Sequence, residues 1–308
     1  MRRQLIDVHG SGVRHGGTGL RERVKQLLQY DYTAVGHVTV DLLSDGSRRP
    51  GGSAFYSTLQ AARLGARALI ITQGVPPEIE ELLDPHREEL DLQVIPARQT
   101  TTLRTAGWGP SRSQEVLAWA GRIEREPKLD TTILHLAPVA QETPSVWHAP
   151  GAFVGLTPQG LMRGWSAADG RIVLTSPSRS SERLATRCDA IVLSEYERTF
   201  CEGLVQRATD GGALVAITAE DRPSTILLPD GAPLEIEVPP VAKPLEDLGA
   251  GDVYAAALFT MLAAGEAPVA AASFATAAAA VRMQGSGAQA IGDRTAIESR
   301  LSAVARAR

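Results

Sequence analysis

Short apolar runs alternate along the chain with segments whose apolar residues recur at helical spacing. Residues 68–72 (Ala-Leu-Ile-Ile-Thr) form one such run, and Ser53–Leu64 has helical spacing and ends before Gly65. Glycine is favoured just past a helix C-terminus, and continuous apolar runs are typical of parallel strands buried on both faces. The pattern therefore predicts an α/β fold, with a mostly parallel central sheet flanked by helices. Further strands are predicted at residues 33–40, 92–95, 132–136, 152–156, 171–174, 190–193 and 214–217, and another helix at residues 78–90.

One stretch interrupts this alternation of strands and helices. Residues 99–108 are rich in threonine, alternate between apolar and polar positions, and are followed by Gly109-Pro110. Alternation bounded by turn residues predicts strands with one exposed face, so we interpret this stretch as an antiparallel excursion from the main sheet. Together with residues 39–49 it is expected to form a small, reduced β lid, with lid elements near residues 39–50 and 97–110.

The N-terminal segment differs from the rest of the chain. Residues 9–17 have no periodicity, and a short amphipathic helix is predicted at Leu20–Gln29. Terminal segments of this kind are usually poorly ordered unless they dock onto the fold. We therefore expect a partly flexible extension at residues 1–29 and one folded domain at residues 30–308.

The composition fits one large hydrophobic core. Of the 308 residues 44% are hydrophobic, and the net charge of −4 argues against a general nucleic-acid binder, which normally carries a basic surface. Two cysteines, Cys188 and Cys201, are too few for a disulfide framework, and no Cys/His spacing resembles a zinc site. The most apolar region, Val253–Val281, is broken at Gly265 and Pro268, so no membrane span is expected. Since no apolar segment follows the basic N-terminus, we predict a cytoplasmic protein without a signal peptide.

The most informative sequence is residues 247–252 (Asp-Leu-Gly-Ala-Gly-Asp), which precede a predicted apolar helix. Glycines at a helix start let the backbone approach a ligand and leave N–H groups unpaired, and with the helix dipole these groups favour phosphate oxygens. Asp252 lies in the first turn, where a carboxylate can accept the proton of an attacking hydroxyl during phosphoryl transfer. A tight turn with Asp252 as a helix-capping residue is the alternative.

The sequence resembles the ribokinase-like, PfkB-type family of carbohydrate and nucleoside kinases from about residue 32 onwards. Residues 35–41 (Val-Gly-His-Val-Thr-Val-Asp) resemble the family's first strand and its substrate-binding aspartate, and residues 50–66 resemble its Gly-Gly signature and the helix behind it. Separated motifs in the expected order are more specific than any one of them. The family's Asp-Thr-Gly-Ala-Gly-Asp hallmark is matched at Asp247, Gly249, Ala250, Gly251 and Asp252.

The resemblance implies roles for these residues. Asp252 would be the catalytic base, and the amides of Gly249, Ala250, Gly251 and Asp252 would form an anion hole, with Gly249 and Gly251 also next to the nucleotide phosphates.

On the acceptor side, Asp41 would accept hydrogen bonds from substrate hydroxyls, because a carboxylate offers separate oxygens to vicinal hydroxyls. Gly51 and Gly52 would let the backbone lie against the sugar ring. Plain turns are the alternative for all three residues.

The family's Asn-x-x-Glu motif, which organises the magnesium–phosphate region, corresponds to residues 194–197. Glu197 fits the acidic position and is the candidate metal ligand, while Ser194 replaces the asparagine. Mg²⁺ favours oxygen ligands and keeps its waters, so an outer-shell carboxylate is compatible with it. Ser194 and Thr218 are candidates for the nucleotide site. Helix N-terminal charges favoured by the dipole are the alternative for Glu195 and Glu197.

Two further positions depart from the family pattern. Leu248 stands where the hallmark has threonine, and residues 218–221 (Thr-Ala-Glu-Asp) lack the glycine usual after the nucleotide-side strand. The proposed base and anion hole are intact, so we expect activity with ATP and Mg²⁺ and an altered nucleotide preference.

Residues 157–163 (Thr-Pro-Gln-Gly-Leu-Met-Arg) are similar to a stretch in the myo-inositol kinase-like branch of the family. Gln159 would hydrogen-bond a hydroxyl-rich ligand, and Arg163 would steady phosphate or cap the next helix; a plain loop is the alternative. Only nine residues separate Asp41 from Gly51, which resembles branches with a reduced lid.

We therefore expect an ATP-dependent kinase that transfers the γ-phosphoryl group to a hydroxyl of a small polyol (a sugar, an inositol or a nucleoside). A monomer or homodimer without nucleic-acid or membrane partners is expected. The departures leave open a non-catalytic sugar- or nucleotide-binding sensor on the same fold. A dinucleotide-dependent oxidoreductase is disfavoured because no Gly-x-Gly-x-x-Gly follows the first strand, and a P-loop kinase because its glycine-lysine motif does not occur.

Overall fold

A nine-stranded sheet forms the centre of the molecule. The computed structural model describes residues 29–306, apart from residues 108, 125–127, 230, 232 and 242. The strands are β1 (Tyr30–Val35), β2 (Thr39–Leu42), β3 (Arg48–Gly51), β4 (Ala68–Gly74), β5 (Asp91–Pro96), β6 (Thr102–Ala106), β7 (Ser113–Ala118), β8 (Thr131–Leu136), β9 (Phe153–Leu156), β10 (Arg163–Trp165), β11 (Ile172–Leu174), β12 (Ala190–Ser194), β13 (Leu214–Ala219), β14 (Arg222–Leu227) and β15 (Leu234–Ile236). The α-helices are α1 (Ser53–Arg63), α2 (Pro76–Leu83), α3 (Gln159–Met162), α4 (Arg179–Ala185), α5 (Glu195–Arg198), α6 (Glu202–Asp210), α7 (Ala250–Ala263), α8 (Pro268–Arg282) and α9 (Arg294–Arg306).

The main sheet is mostly parallel, which confirms the predicted fold class. Its strand order is β15-β14-β13-β12-β9-β8-β1-β4-β5. The strands from β13 to β5 in this order pair in parallel, while β14 and β15 extend one edge by antiparallel pairing. In a parallel sheet the carboxyl ends of all strands meet at one edge, and ligands bind there.

Helices cover both faces of this sheet, and each face has its own apolar core. The neighbouring residues Ala34 and Val35 of β1 are both fully buried but belong to opposite cores. Side chains alternate between the faces of a strand, so a strand covered on both sides must be apolar at successive positions. One core includes α1, α7 and α8, with Phe55 and Phe259, and the other includes α4 and α6, with Leu204.

A second sheet of four strands, in the order β3-β2-β6-β7, forms the lid. The hairpin β6–β7 is antiparallel, as expected for residues 99–108, and the hairpin β2–β3 is antiparallel as well. The pairing of β2 with β6 is parallel, which the sequence pattern did not predict. The lid also extends further than residue 110, because β7 continues it to Ala118.

Two predicted elements end earlier than expected. The predicted strand at residues 33–40 is interrupted after Val35 and resumes as β2. At the interruption, a β-carbon on Gly36 would lie 2.1 Å from the carbonyl oxygen of Ala137, so only glycine fits there. The helix predicted at residues 78–90 is α2, which ends at Leu83 and is followed by a 3₁₀ turn at Asp84–His86.

Other strands lie outside the predicted pattern. The predicted strand at residues 171–174 is β11, which pairs with β10 in a separate two-stranded sheet instead of joining the main sheet. The edge strands β14 and β15 were not predicted. The predicted N-terminal extension, with its helix at Leu20–Gln29, lies almost wholly outside the described residues. Within the described part of the chain, no helix is long and apolar enough to cross a bilayer.

Candidate active site

The loop at residues 247–252 leads into α7, and Gly249 is the N-cap of that helix in the left-handed conformation, with φ +79°. First-turn N–H groups of a helix have no intrahelical partner. The N–H of Ala250 instead closes a turn by donating to the carbonyl oxygen of Asp247 at 3.1 Å. The Ala250 N–H of the predicted anion hole is therefore already occupied. The first-turn N–H groups that remain available to an anion are those of Gly251 and Asp252.

Gly249 lies directly against the ring of Tyr56, a buried residue of α1. A β-carbon at position 249 would lie 2.4 Å from Cγ of Tyr56, and the positive φ also disfavours any other residue. The glycine of the motif is thus required by packing beneath the loop as well as by its backbone conformation.

Asp252 follows in the first turn of α7. Burial raises the pKa of its carboxyl to about 6, although the hydroxyl of Ser53 hydrogen-bonds to it and Arg163 lies nearby, and both of these lower the pKa. The group is therefore ionised at neutral pH, yet basic enough to accept a proton. A carboxylate with a pKa near the working pH is suited to general base catalysis.

Asp41, at the third position of β2, is buried, with 2% of its surface exposed. Burial raises the pKa of its carboxyl to about 6, opposed by a 2.6 Å hydrogen bond from the hydroxyl of Thr39 and by the cations Arg163 and Arg112. A β-carbon on Gly51 would lie 2.2 Å from Oδ2 of Asp41. Gly52, with φ +92°, lies against the carbonyl oxygen of His37, so both glycines are fixed by close contacts.

Most of the predicted acceptor and phosphate residues line one cavity of about 120 Å³, and Gly51 and Ala250 are the two that do not. Gln159, the first residue of α3, lies on its wall, as do Arg112, Gln114 and Arg163. A larger open cleft of about 710 Å³, near Gln73 and Trp119, contains none of the predicted site residues. The predicted residues that line the small cavity are Asp41, Gly52, Gln159, Gly249, Gly251 and Asp252.

The other predicted nucleotide residues, Ser194 and Thr218, and the candidate metal ligand Glu197 do not line this cavity. Ser194 and Thr218 are register partners at the carboxyl ends of β12 and β13. Glu197 and Ser194 form a capping box: Oε2 of Glu197 accepts from the Ser194 N–H at 2.8 Å, and Oγ of Ser194 accepts from the Glu197 N–H at 3.2 Å. The capping box explains why a serine can stand at position 194 in place of asparagine. It also fits the alternative interpretation of Glu197 as an acidic residue favoured at a helix N-terminus.

Glu197 is compatible with magnesium only through water or donor oxygens. Its Oε2 is occupied by the capping box, so one carboxylate oxygen is left to face a hydrated ion. Among the described residues, no three His, Cys, Asp or Glu side chains are grouped so that they could hold a metal ion. A magnesium ion that keeps most of its waters and is shared with phosphate oxygens fits this donor set.

The turn after β13 contains no glycine but includes a residue with positive φ. Glu220 adopts a left-handed conformation, with φ +57°, which glycine normally favours. On the same side, Arg222 forms an ion pair with Glu195 of α5. The departure noted at residues 218–221 therefore places the acidic residues Glu220 and Asp221 in the turn that follows Thr218.

A buried arginine contacts the loop at residues 247–252, which is the candidate phosphate loop. Arg282, the last residue of α8, is fully buried and donates to the carbonyl oxygens of Leu248 at 2.7 Å and Gly285 at 3.1 Å. Its guanidinium lies 3.3 Å from Oε1 of Glu246. Although burial opposes this, the N–H of Gly287, the Ser286 hydroxyl and Arg282 hold the pKa of Glu246 below its usual value.

Ion pairs join the lid to the same loop. Arg112, just before β7, pairs with Asp247, and the N–H of Gly109 donates to the other carboxylate oxygen of Asp247 at 3.2 Å. Arg49 of β3 lies 3.4 Å from Oε2 of Glu246. The lid therefore docks onto the residues that precede the proposed anion hole.

Sequence reasoning missed Tyr56, Arg112, Glu246 and Arg282. Arg282 could have been found from the sequence, because it is a lone arginine in the alanine-rich segment of α8. A cation on a buried helix needs an acidic or carbonyl partner. The partner itself, Glu246, is the residue immediately before the hallmark motif. No local pattern marks Tyr56 or Arg112.

Comparisons with known proteins agree with this fold. Residues 182–295 match the family model described as pfkB family carbohydrate kinase. A pyrophosphate-dependent kinase of the ribokinase family, solved as a sulfate complex, is 20% identical and superposes with a TM-score of 0.68 over 87% of this chain and 99% of its own. Ribokinase from Arabidopsis thaliana, solved with ribose and ATP, is 16% identical, with a TM-score of 0.66 over 89% of this chain and 99% of its own. Fructokinase from Vibrio cholerae O395, solved with fructose, ADP and calcium, is 18% identical, with a TM-score of 0.67 and the same coverage.

No curated protein matches the chain. The fold shared with these kinases is the ribokinase-like fold. Residues 182–295 are thus similar to the pfkB family of carbohydrate kinases, and the chain has the fold of ribokinase-family kinases. The resemblance inferred from the sequence motifs is thereby confirmed.

Proposed function

We propose that the protein transfers the γ-phosphoryl group of ATP, with Mg²⁺, to a hydroxyl of a small polyol. The observation that carries the proposal is the convergence of Asp41, Asp252 and the free N–H groups at the start of α7 on one cavity. A carboxylate for the acceptor, a base and an anion site are the parts that phosphoryl transfer to an alcohol requires.

In this mechanism Asp41 holds the acceptor and Asp252 accepts its proton. With pKa values of about 6, both carboxyls are ionised at neutral pH and can accept hydrogen bonds from hydroxyl groups. The hydroxyl bonded to Asp252 becomes the nucleophile, while the N–H groups of Gly251 and Asp252 receive the charge on the phosphoryl oxygens.

Glu197 and the ends of β12 and β13 would hold the donor. Mg²⁺, when bound, would neutralise charge on the donor phosphates. Glu197 would contact its water shell through the oxygen that the capping box leaves free. Ser194 and Thr218 would lie along the donor, since they form the adjoining strand ends.

For the acceptor, a compact sugar or cyclitol is favoured over a nucleoside. The cavity of about 120 Å³ is smaller than the roughly 300–1,000 Å³ of typical ligand pockets. A kinase of similar fold has been solved with a pyrophosphate analogue and myo-inositol. Together with the Gln159 segment, this supports an inositol-like acceptor.

Inorganic pyrophosphate is a second candidate donor. Glu220 and Asp221 lie in the turn after β13, and Arg222, the next residue, is already paired with Glu195 of α5. An acidic turn is unfavourable beside the phosphates of a nucleotide. The fold is shared with pyrophosphate-dependent kinases, which supports the same candidate.

The test is product formation from Mg-ATP or Mg-pyrophosphate across a panel of inositols, pentoses, hexoses and nucleosides. Turnover should depend on one acceptor and be lost in Asp252→Asn, while Asp210→Asn, an exposed control on α6, should retain it. ADP formation would assign ATP as the donor, and acceptor-dependent consumption of pyrophosphate would assign pyrophosphate. Ligand binding without turnover for every pair would favour a non-catalytic sensor over a kinase.

A further inference from the structure

Arg163 is a buried cation that no carboxylate neutralises at contact distance. It is the first residue of β10, directly after α3, and only 7% of its surface is exposed. Its guanidinium donates to the carbonyl oxygen of Val139 at 3.1 Å and to Oε1 of Gln114 at 2.7 Å. Both partners are neutral, and Arg163 is absent from the ion pairs formed by the described residues.

The contrast with Arg282 shows that this arrangement is unusual. Both arginines are buried, but Arg282 has Glu246 within ion-pair distance and lies beneath the phosphate loop. Arg163 lines the cavity itself. Burial of a charge without an opposite charge is unfavourable for folding, so stability does not explain an arginine at this position.

Four carboxylates surround Arg163 at longer range, from four parts of the fold. Asp41 lies on the lid strand β2, Asp252 on α7, Glu197 on α5 and Glu142 on the loop after β8. Burial lowers the pKa of Arg163 and these four carboxylates raise it. Arginine stays protonated in proteins, so the guanidinium carries its charge close to the acceptor carboxylate, the base and the donor side.

The side chain is held in place from both ends. Nε2 of Gln141, which has a left-handed φ of +63°, donates to the backbone carbonyl of Arg163 at 2.5 Å. Gly160 packs against the backbone of Pro138 and Val139, where a β-carbon would come within 2.5 Å. At the other end, Gln114 of the lid accepts from the guanidinium. A fixed donor of this kind stabilises developing charge without rearranging during the reaction.

We propose that Arg163 is a catalytic residue of the kinase, and that its guanidinium donates hydrogen bonds to the phosphoryl group during transfer. This rests on the proposed function. In the step, the acceptor oxygen forms a bond to phosphorus and the bond from phosphorus to the donor's bridging oxygen breaks. The acceptor's proton moves to the carboxylate of Asp252, the electron pair of the broken bond stays on the leaving donor, and Arg163 keeps its proton throughout.

Arg112 also lines the cavity but fits this role less well. It forms an ion pair with Asp247, so its charge is already neutralised. Arg163 is the cavity arginine whose partners leave its full charge available.

The test compares Arg163→Gln, Arg163→Lys and the exposed control Arg183→Gln in steady-state kinetics with the donor and acceptor that the panel identifies. We expect kcat to fall about 10²–10³-fold in Arg163→Gln, with acceptor KM within about threefold, and no change in Arg183→Gln. Arg163→Lys should restore part of kcat.

Removal of the cation should also raise the pKa of Asp252, so that the acid limb of the pH–rate profile moves to higher pH. A large rise in acceptor KM with kcat unchanged would overturn the proposal, since Arg163 would then bind the acceptor.

Two further measurements separate this proposal from a structural role and from failure of the proposed function. Thermal melting of Arg163→Met should show no loss of stability, because an unpaired buried charge is removed; marked destabilisation would assign Arg163 to folding. Calorimetric titration with inorganic pyrophosphate needs no turnover. Binding at least about tenfold weaker in Arg163→Gln than in wild type supports the phosphate contact even if no acceptor is found, and equal binding overturns it.

Discussion

Arg282 donates a 2.7 Å hydrogen bond to the carbonyl oxygen of Leu248, which connects the end of α8 to the turn before α7. The same guanidinium lies 3.3 Å from Glu246. A single buried side chain thus fixes the backbone that presents the proposed anion hole. The turn has this conformation because of contacts from distant parts of the chain as well as its own glycines.

Replacement of Arg282 should destabilise the fold. In Arg282→Met, Glu246 loses its buried partner and the Leu248 carbonyl loses its donor, so we expect a loss of about 3–5 kcal/mol in the free energy of unfolding. Urea denaturation measures this. Arg294→Gln, which breaks an exposed pair with Glu298, should cost less than about 0.5 kcal/mol. Equal effects of the two substitutions would contradict the assigned role.

Activity should depend on an ionised Asp252. Its pKa is raised to about 6, so kcat/KM should fall as the pH is lowered through about 6. In Asp252→Asn, turnover should drop by about 10²–10⁴-fold, the usual contribution of a general base, with fold and donor binding nearly intact. Stopped assays across pH 5–8 with both proteins measure this. Retained activity in the asparagine variant would remove Asp252 as the base.

Asp41 should affect acceptor binding and stability in opposite directions. Asp41→Ala should chiefly raise the acceptor KM; an unchanged KM would place Asp41 outside the site.

The folded-state pKa of Asp41, about 6, exceeds the unfolded value near 3.8, so the stability of the fold is lost as the pH rises from about 4 to 6. Asp41→Asn should therefore raise the melting temperature at pH 7.5 and change it little at pH 4.

A matched control exists for this pH effect. Hydrogen bonds from Ser47 lower the pKa of the exposed Asp45, so Asp45→Asn should give no gain in stability at pH 7.5. A gain for Asp45→Asn as large as that for Asp41→Asn would show that burial is not the cause.

Gly249 and Gly251 should differ in their tolerance of alanine. Gly249→Ala introduces a β-carbon against Tyr56 and a residue with positive φ, so a loss of at least about 1–2 kcal/mol is expected. A β-carbon on Gly251 meets no atom within 4 Å, and alanine is favoured over glycine in a helix, so Gly251→Ala should keep or raise stability. Thermal melting of the pair tests the packing, and the reverse order would contradict it.

The lid should loosen when its contact with the phosphate loop is removed. Arg112→Gln breaks the pair with Asp247, so we expect a higher acceptor KM and a weaker dependence of that KM on ionic strength. Arg104→Gln removes a pair with Glu115 within the lid and serves as the control. Equal kinetics in both variants would exclude the ion pair from lid docking.

The sequence predicted the features that depend on local pattern. Continuous apolar runs predicted the parallel sheet, alternation at residues 99–108 predicted the lid, and the glycines before Asp252 predicted a helix start with a carboxylate beside it. The contacts that complete the site join residues far apart in sequence, such as Arg112 with Asp247 and Arg282 with Leu248. No periodicity encodes such pairs, so the isolation of Arg163 could only be recognised once its neighbours were known.

The hydrogen bond from Arg163 to Gln114 has a consequence for wasteful side reactions. Gln114 belongs to β7 of the lid, whereas the base and the anion hole belong to α7. If the lid opens, Gln114 moves away with β7 and the guanidinium loses the lid partner that orients it. An open enzyme would then transfer phosphate to water poorly, and the donor would be protected from hydrolysis until an acceptor is enclosed.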